Sequence, residues 1–340
     1  MKAQLLDIIN YLKVLSTKKL INAFRILGSY YVSRLTKKNK HRGLPIAISI
    51  EPTTSCNLRC PQCPSGLRQF TRETGMLQPD LNKTIIDQLK KTLTYITYYF
   101  QGEPYLNPDF LEMVNYASQS NIYTATSTNA HYLTPENCKK TITSGLKRLT
   151  ISIDGTSQDT YGKYRIGGNI EKVLEGTKNI VQAKKEAGRG PYIIWQFIVF
   201  SHNTHQIDEI KKLAKQYGVD KLAIKTAQVY DFENDTNLIP TESGFKYARY
   251  KMENGKMKIK SKLLNHCWRL WHNCVITWDG KVVPCCFDKD AKHQFGDINL
   301  AQFKSIWQSA EYSSFRLLIL KSRRNIDICR NCTEGTSIWA

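Results

Sequence analysis

The sequence predicts an α/β fold whose main part is a partial (β/α)6 barrel, similar to a TIM barrel but not closed. Between residues 44 and 230, short apolar and β-branched runs alternate six times with amphipathic helical patterns. Such alternation is typical of parallel strands joined by right-handed crossovers, with helices outside the sheet. Six units curve most of the way round a barrel without completing the eight-stranded form. An N-terminal helical extension and a small cysteine-rich C-terminal segment flank this region.

The composition is that of a folded chain. Of the 340 residues, 41% are hydrophobic and 11% aromatic, and the charges are spread along the sequence, which argues against disorder. No apolar run approaches the roughly 20 residues that a membrane-spanning helix needs. The apolar residues near the N-terminus come at helical spacing rather than in one block, so they do not form a secretory signal.

Residues 1–43 are predicted as two basic amphipathic helices, separated at Ser16-Thr17. In each helix, apolar residues recur at helical spacing. They are Leu5, Ile9, Leu12 and Leu15 in the first helix, and Leu20, Phe24, Leu27, Tyr31 and Leu35 in the second. Residues 1–42 contain ten Lys or Arg and a single acid, Asp7, whereas the whole chain has a net charge of +20.

Three interpretations of this extension remain open. The helices pack on the barrel with their charges in water, or they lie as an interfacial anchor on anionic lipid, or they bind nucleic acid. Basic charge without a recognition motif is weak support for the third, so no nucleic-acid partner is expected.

The barrel strands are predicted from six short apolar and β-branched segments. These segments are residues 45–51, 95–100, 122–127, 149–153, 192–200 and 221–226. Helical patterns lie between them, at residues 82–93, from Pro108, from Pro135, at 170–187 and at 206–217. Thr134 is the predicted N-cap before Pro135, and Gly188 and Gly218 are predicted helix stops.

The C-terminal third is predicted to contain a linker and a small domain. Residues 231–265 are polar and weakly patterned, which is typical of a linker. Residues 266–340 contain six of the ten cysteines, together with a hairpin signal at Trp278-Asp279-Gly280-Lys281. The predicted division is therefore 1–43 for the extension, 44–230 for the barrel core, 231–265 for the linker and 266–340 for the C-terminal domain.

The cysteines are predicted to bind metal. Without an export signal the chain is expected in the cytoplasm, where thiols stay reduced. An early and a late group of closely spaced cysteines then favour metal ligation over disulfides.

The early group is Cys56, Cys60 and Cys63, directly after the first strand. Three thiolates on one loop can hold three corners of an iron–sulfur cube and leave the fourth iron open to a small molecule. The loop also follows the C-terminal end of a strand, where parallel barrels build their sites. A structural zinc is the alternative, but it needs a fourth ligand, and the next Cys or His is His131.

In these features the chain resembles the radical S-adenosylmethionine (SAM) superfamily over about residues 45–230. The matching segments are the CxxxCxxC motif at Cys56, Cys60 and Cys63, then Gly102-Glu103-Pro104, Ser152-Ile153-Asp154-Gly155 and Tyr164-Arg165-Ile166-Gly167-Gly168. Their order along the chain and the order of strands and helices both match the family's partial (β/α)6 barrel.

The resemblance implies a [4Fe–4S] cluster on the three cysteines, with SAM bound to its open iron. Gly102 would bring its carbonyl close to the ammonium of SAM, and Glu103 would add a negative charge there. Arg165 would pair with the SAM carboxylate, and Ser152 would offer a hydroxyl. Gln62 stands where many family members have an aromatic residue against the adenine.

The late group resembles the SPASM/twitch extension of these enzymes, which binds an auxiliary [4Fe–4S] cluster. The implied ligands are Cys267, Cys285, Cys329 and Cys332. Cys274 competes for one ligand place, and a zinc ribbon is the alternative, because four cysteines with a CxxC pair also suit zinc. Cys286 and Cys138 are predicted to be small buried hydrophobic side chains.

The function implied by the resemblance is that of a radical SAM oxidoreductase. An external donor such as flavodoxin or ferredoxin would supply an electron for the reductive cleavage of SAM to a 5′-deoxyadenosyl radical. This radical would abstract a hydrogen from the substrate, and the auxiliary cluster would accept an electron as the product forms. The sequence identifies no general acid or base.

Two alternatives are a zinc or iron–sulfur scaffold at a membrane surface without turnover, and a peptide-modifying maturase. The substrate is open among a small molecule, a lipid-linked precursor and a peptide. The short N-terminal extension is not a winged-helix leader-binding domain, which counts against the peptide. The expected location is the cytoplasm, at the inner face of the membrane if the extension is an interfacial anchor.

Overall fold

The structure, a computed structural model, describes residues 2–229, 237–240 and 245–336. The chain divides into two compact units. Unit 1 comprises Met1–Asp7, Cys56–Gln69 and Thr126–Ser261, and unit 2 comprises Ile8–Ser55, Phe70–Ala125 and Lys262–Ala340.

Strands and helices alternate along the chain as the sequence predicts. The strands are β1 (Ala47–Ile50), β2 (Tyr95–Tyr98), β3 (Tyr123–Thr128), β4 (Arg148–Ser152), β5 (Tyr192–Val199), β6 (Lys221–Thr226), β7 (Tyr250–Glu253), β8 (Lys256–Ile259), β9 (Val275–Ile276), β10 (Lys281–Val283) and β11 (Gly296–Asp297). The helices are α1 (Lys2–Leu12), α2 (Thr17–Thr36), α3 (Pro64–Leu67), α4 (Pro79–Leu89), α5 (Phe110–Gln119), α6 (Pro135–Thr143), α7 (Gln158–Tyr164), α8 (Ile170–Ala187), α9 (Ile207–Gln216), α10 (Trp268–His272), α11 (Phe303–Trp307) and α12 (Ala310–Ser322).

Unit 1 is built on parallel strands in the order β4-β5-β6. Arg148 of β4 pairs with Tyr192 of β5, and Val199 of β5 pairs with Thr226 of β6. Alternate residues of β5 are buried, and the indole nitrogen of Trp195 donates to the Thr177 hydroxyl at 3.1 Å. Parallel strands need crossover helices, and α8 and α9 provide them in this unit.

Unit 2 contains the strands β11-β10-β9-β1-β2 in that order. β1 is parallel to both β2 and β9, whereas β9, β10 and β11 form an antiparallel meander. The turn between β9 and β10 contains Gly280, with a φ of +91°. The hairpin predicted at Trp278-Asp279-Gly280-Lys281 is thereby confirmed.

The predicted α/β fold is confirmed, and the helix and strand bounds agree best where local signals are strong. α8 ends before Gly188, which adopts a φ of +60°, and β6 has the predicted bounds. Thr134 caps α6 by accepting from the Asn137 amide at 3.2 Å. α4 begins three residues before its predicted start at residue 82 and ends at Leu89.

Several elements were not predicted, among them the short helix α3 and the C-terminal helices α10, α11 and α12. α7 and a hairpin in the predicted linker show why. α7 is a short helix in a polar segment, with Ser157 accepting from the Thr160 amide at its start. Inside the predicted linker, β7 and β8 form an antiparallel hairpin, and Asn254 and Gly255 both have positive φ in its turn. An Asn-Gly pair with positive φ at both residues is the favoured two-residue hairpin turn. Residues 230–236 and 241–244 of this region lie outside the described residues.

The two N-terminal helices are confirmed as α1 and α2, and Ser16 caps α2 by accepting from the Lys19 amide at 3.4 Å. Among the described residues, none of the helices is both long enough and apolar enough to span a bilayer.

Candidate functional site

The loop that carries the early cysteines lies in unit 1 and ends at α3. Cys63 is the residue before α3, and its carbonyl accepts from the Leu67 amide at 2.9 Å. Gly66 packs on the backbone of Cys60, because a Cβ at this glycine would lie 2.6 Å from the Cys60 nitrogen. Real Cβ atoms do not approach backbone so closely, so the conformation of the loop depends on this glycine.

The three thiols share one apolar environment. Cys60 is buried, and Cys56 and Cys63 pack at the edge of the same group of side chains. That group is formed by Leu58, Tyr164, Phe200 and Ala227. Burial raises the pKa of the Cys60 thiol, and the nearby Arg165 opposes this effect. The three thiols therefore lie in or beside one apolar cluster, with a cation next to Cys60.

That cation, Arg165, is held by a buried ion pair. Its Nε and Nη2 donate to Oδ2 of Asp154 at 2.6 Å, and its Nη1 lies 3.8 Å from the Cys60 sulfur. Asp154 is fully buried and also accepts from the Ile198 amide at 2.7 Å. Burial alone would lower the pKa of Arg165, but the charges of Asp154 and Cys60 raise it well above its usual value. The guanidinium is therefore charged and fixed in orientation.

Two further residues of unit 1 contribute polar groups. Ser152 is half-buried at the end of β4 and pairs with Gln196 of β5. Asn129, which sequence analysis missed, has its amide nitrogen 4.0 Å from the Cys56 sulfur and 2.7 Å from Oδ1 of Asn57. Its only sequence signal is a position just after β3, the same position that the cysteine loop has relative to β1.

Gly102 and Glu103 lie in unit 2, beside the segment that leads into the cysteine loop. Gly102 has a φ of +73°, and a Cβ there would lie 2.2 Å from the Thr53 carbonyl oxygen. The Glu103 amide donates to the Ser55 carbonyl at 2.8 Å, and Ser55 directly precedes Cys56. The close approach that this glycine allows is thus that of the chain's own backbone. The Glu103 carboxylate is buried and accepts from the Tyr105 amide at 3.4 Å.

A second buried ion pair, in unit 2, was also missed. The Arg72 guanidinium forms a bidentate ion pair with the Glu51 carboxylate. Nη1 donates to Oε2 at 2.9 Å, and Nη2 donates to Oε1 at 2.6 Å. Burial raises the pKa of Glu51, and Arg72 opposes that rise. The pair anchors the end of β1 just before the cysteine loop.

The late cysteines of unit 2 surround one small cavity. Four cysteines line it, and they are the four implied auxiliary ligands, Cys267, Cys285, Cys329 and Cys332. Apolar side chains of Phe287, Phe315 and Ile319 form much of the remaining wall. Gly335 lies against Cys267, since a Cβ at this glycine would be 2.5 Å from the Cys267 sulfur. The structure therefore brings together residues that are far apart in the sequence.

Three further cysteines do not line this cavity. Cys274 is fully buried just before β9, and the ionisable groups that affect its thiol include Arg316 rather than the cavity cysteines. Cys286, predicted to be buried, is only half-buried, because it packs at the edge of the apolar group that includes Val275 and Val283. Cys138 is buried in α6.

Arginines adjoin the late cysteines, and sequence analysis missed them. Arg323 is 1% exposed, and its Nη2 lies 3.0 Å from the Cys332 sulfur and 2.6 Å from the Glu334 carbonyl oxygen. Arg269 has its Nη1 3.9 Å from the Cys286 sulfur. Burial raises the pKa of the Cys329 thiol to about 12, with further contributions from neighbouring cysteines. Thiols that resist ionisation in this way lose their protons when they bind metal.

Both candidate sites offer thiols, the ligand type that iron–sulfur clusters use. Over the described parts of the chain, no three His, Cys, Asp or Glu side chains are placed to hold one metal ion. A structural zinc needs four ligands around one centre, whereas a cube-shaped cluster takes one thiolate at each iron and so spreads its ligands apart. The early site has three thiols in or beside one apolar cluster, and the late site has four thiols around one cavity.

Two family models match the regions of the chain that contain the two cysteine groups. A family model described as the radical SAM superfamily matches residues 50–214. A second model, SPASM, described as an iron–sulfur cluster-binding domain, matches residues 267–333. The two matches cover the early and the late cysteine groups respectively.

Several curated proteins are similar. The tungsten-containing aldehyde ferredoxin oxidoreductase cofactor-modifying protein of Pyrococcus furiosus is 27% identical, covering 79% of this chain and 82% of its own. The mycofactocin maturase MftC of Mycobacterium ulcerans is 30% identical, covering 55% of this chain and 49% of its own, so the match spans about half of that maturase. The PqqA peptide cyclase of Rhodopseudomonas palustris is 25% identical, covering 79% and 75%.

A solved structure shares the fold. The protein described as native anSMEcpe with bound AdoMet aligns with a TM-score of 0.60 at 17% identity, covering 86% of this chain and 89% of its own. The cofactors that the two matching family models imply are SAM, a SAM-binding [4Fe–4S] cluster and an auxiliary [4Fe–4S] cluster. On its motifs, its fold and both family matches, the chain belongs to the radical SAM superfamily and carries a C-terminal SPASM-type iron–sulfur domain.

Proposed function

We propose that this enzyme binds SAM at a cluster held by Cys56, Cys60 and Cys63 and uses it to modify a peptide as a maturase. The observation that carries the first part is the buried Arg165, fixed by Asp154 beside the Cys60 sulfur. When bound, the cluster and SAM supply an electron and a 5′-deoxyadenosyl radical that removes a hydrogen from the substrate.

Arg165 has the role of orienting SAM through its carboxylate. A guanidinium has five N–H donors in a planar fork, so its pairing with Asp154 leaves donors for a second carboxylate. Asp154 holds the fork in one orientation and balances its charge before SAM arrives. This preorganisation reduces the cost of ordering the site when the ligand binds.

The other residues assigned to SAM have simpler roles. The carbonyl of Gly102 and the carboxylate of Glu103 favour the ammonium group, and Ser152 donates or accepts through its hydroxyl. The backbone bond from Glu103 to Ser55 supports this assignment, because it ties the motif to the residue before Cys56.

The auxiliary cluster is proposed to have four protein ligands, Cys267, Cys285, Cys329 and Cys332. With every iron bound by protein, no position is left for a substrate, which suits a centre that only takes up an electron. The apolar cavity wall and the buried Arg323 limit access of water and compensate the negative charge of the thiolates.

The peptide substrate is supported by the relatives. A maturase and a peptide cyclase are among the similar proteins, at 30% and 25% identity. We therefore favour a peptide over the small-molecule and lipid-linked alternatives. Flavodoxin or ferredoxin is the proposed electron donor, and the reducing cytoplasm, at the inner face of the membrane, is the proposed location.

The radical chemistry is tested by anaerobic reconstitution with iron and sulfide, followed by SAM and dithionite. The native chain should release 5′-deoxyadenosine, and Cys60→Ala should not. Cys138→Ala is the matched control, because this cysteine is equally buried but lies in α6. Equal release by Cys60→Ala, or none from the loaded native chain, would reject the proposal.

The electron-acceptor role is tested separately with Cys329→Ala. This variant should still release 5′-deoxyadenosine but give little modified product, because the second electron has no acceptor. The substrates to test are peptides encoded next to the gene of this enzyme. Mass spectrometry measures the change in mass of each peptide. Full product formation by Cys329→Ala would contradict this role, and modification of non-peptide substrates alone would contradict the maturase assignment.

A further inference from the structure

Helix α2 presents its apolar residues outward. Six large apolar side chains of α2 are between 42% and 83% exposed. They are Leu20, Ile21, Phe24, Tyr31, Val32 and Leu35. At about 100° per residue these positions fall within an arc of about 120° along the helix, and we call them the α2 stripe. Gly28 lies in the same arc, and a Cβ there would meet no atom within 4 Å.

The face of α2 that packs inside unit 2 is mostly polar, and it is fixed by hydrogen bonds. Lys19 donates through Nζ to the Asn121 carbonyl at 2.6 Å. Asn22 bonds to both the amide and the carbonyl of Leu44, at 2.9 and 2.7 Å. Rotating the helix to bury the α2 stripe would leave these buried polar groups without partners, which is costly.

The buried face has a further anchor at its C-terminal half. The Tyr30 hydroxyl lies 2.8 Å from Nδ1 of His266, and the Ser33 hydroxyl accepts from the Lys40 amide at 3.0 Å. The orientation of the helix is thus specified along its length. These hydrogen bonds therefore keep the α2 stripe exposed.

The surroundings of the α2 stripe are basic. Lys18 and Arg25 are exposed on the helix, and Lys37 and Lys38 are exposed just after it. No acidic residue occurs between residues 8 and 42. Such a surface attracts anions, and an apolar stripe flanked by Lys and Arg suits a helix that lies in a lipid headgroup region.

We propose that α2 docks flat on an anionic lipid bilayer, with the α2 stripe in the interface and its flanking cations among the headgroups. A second copy of this chain fits less well, because two such surfaces would bring like charges together. A bilayer accepts apolar side chains without a matching shape. This inference does not depend on the chemistry proposed for the clusters.

The test is co-sedimentation of the full chain with vesicles at physiological salt. Vesicles of phosphatidylcholine with one quarter phosphatidylglycerol should bind the native chain at least about tenfold more tightly than phosphatidylcholine alone. The double variant Phe24→Ser, Leu35→Ser should bind the anionic vesicles at least about tenfold more weakly. Leu300→Ser is the matched control, because Leu300 is 85% exposed outside α2, and its binding should not change.

Equal binding by the double variant, or an equal loss in Leu300→Ser, would overturn the proposal. So would a native chain that ignores anionic vesicles but forms dimers that the double variant does not, since the occupant would then be a second copy. Release of 5′-deoxyadenosine without lipid should be unchanged in the double variant. Absence of that release from the native chain would instead count against the proposed function and would leave the lipid result unaffected.

Discussion

Replacement of Arg323 by Met should lower the reduction potential of the auxiliary cluster. Arg323 is 1% exposed, and its Nη2 contacts the Cys332 sulfur at 3.0 Å. Reduction adds a negative charge to the cluster, so a cation bonded to one of its thiolates stabilises the reduced form more than the oxidised form. Met fills a similar volume without charge and without donors.

The magnitude follows from the strength of this bond. A hydrogen bond to a charged group contributes about 1.5–3 kcal/mol. We take about half of the upper value as the extra stabilisation that this bond gives to the reduced cluster over the oxidised cluster. Losing this difference, about 1.4 kcal/mol, lowers the reduction potential by about 60 mV for a one-electron couple. Arg323→Lys keeps the charge but loses the planar fork, so it should shift the potential by less.

The assay is an anaerobic redox titration followed by electron paramagnetic resonance. A chain with Cys56, Cys60 and Cys63 replaced by Ala isolates the auxiliary signal. Arg316→Met is the matched control, because Arg316 is equally buried but bonds to the Trp307 carbonyl and lies near Cys274. A potential unchanged in Arg323→Met would refute the reasoning, and an equal shift in Arg316→Met would place Cys274 among the ligands.

Two further predictions concern the surroundings of the early cysteines. Glu51→Gln leaves the charge of Arg72 without its buried partner, so the protein should lose about 3 kcal/mol of stability, seen as a lower thermal midpoint. Glu136→Gln, at an exposed pair, should change little, and equal midpoints in both variants would contradict this ranking. Gly66→Ala forces a Cβ to within 2.6 Å of the Cys60 nitrogen. This variant should therefore hold less iron after reconstitution, by colorimetric assay, and full loading would show that the loop can adjust.

Local chemistry made parts of the fold predictable. α8 was predicted because its apolar period is long and Gly188 adopts the left-handed conformation that ends a helix. α7 was not, since it is short and polar and forms where tertiary contacts bury Tyr161 and Tyr164. The hairpin signal at Asn254-Gly255 was present, but the polar strands beside it lack a clear alternation.

The site was predictable where it depends on spacing along the chain. Three cysteines within eight residues are close in any fold, so their grouping follows from the sequence alone. Arg323 lies in a run of basic residues that reads as a solvated surface, and only the folded chain brings it to Cys332. Asp154 and Arg165 were both identified in their motifs, but their ion pair became evident only from the structure.

The orientation of α2 shows why periodicity alone does not identify what a helix packs against. An apolar stripe reports which side chains avoid water, and a protein core and a bilayer satisfy that preference equally. The opposite face decides between them. In α2 that face has Lys19, Asn22 and Ser33 at positions where each one finds a specific partner. These polar side chains would lose their partners if the helix turned its apolar side inward. Their hydrogen bonds therefore keep the α2 stripe on the outside of the fold, where we propose that it meets lipid.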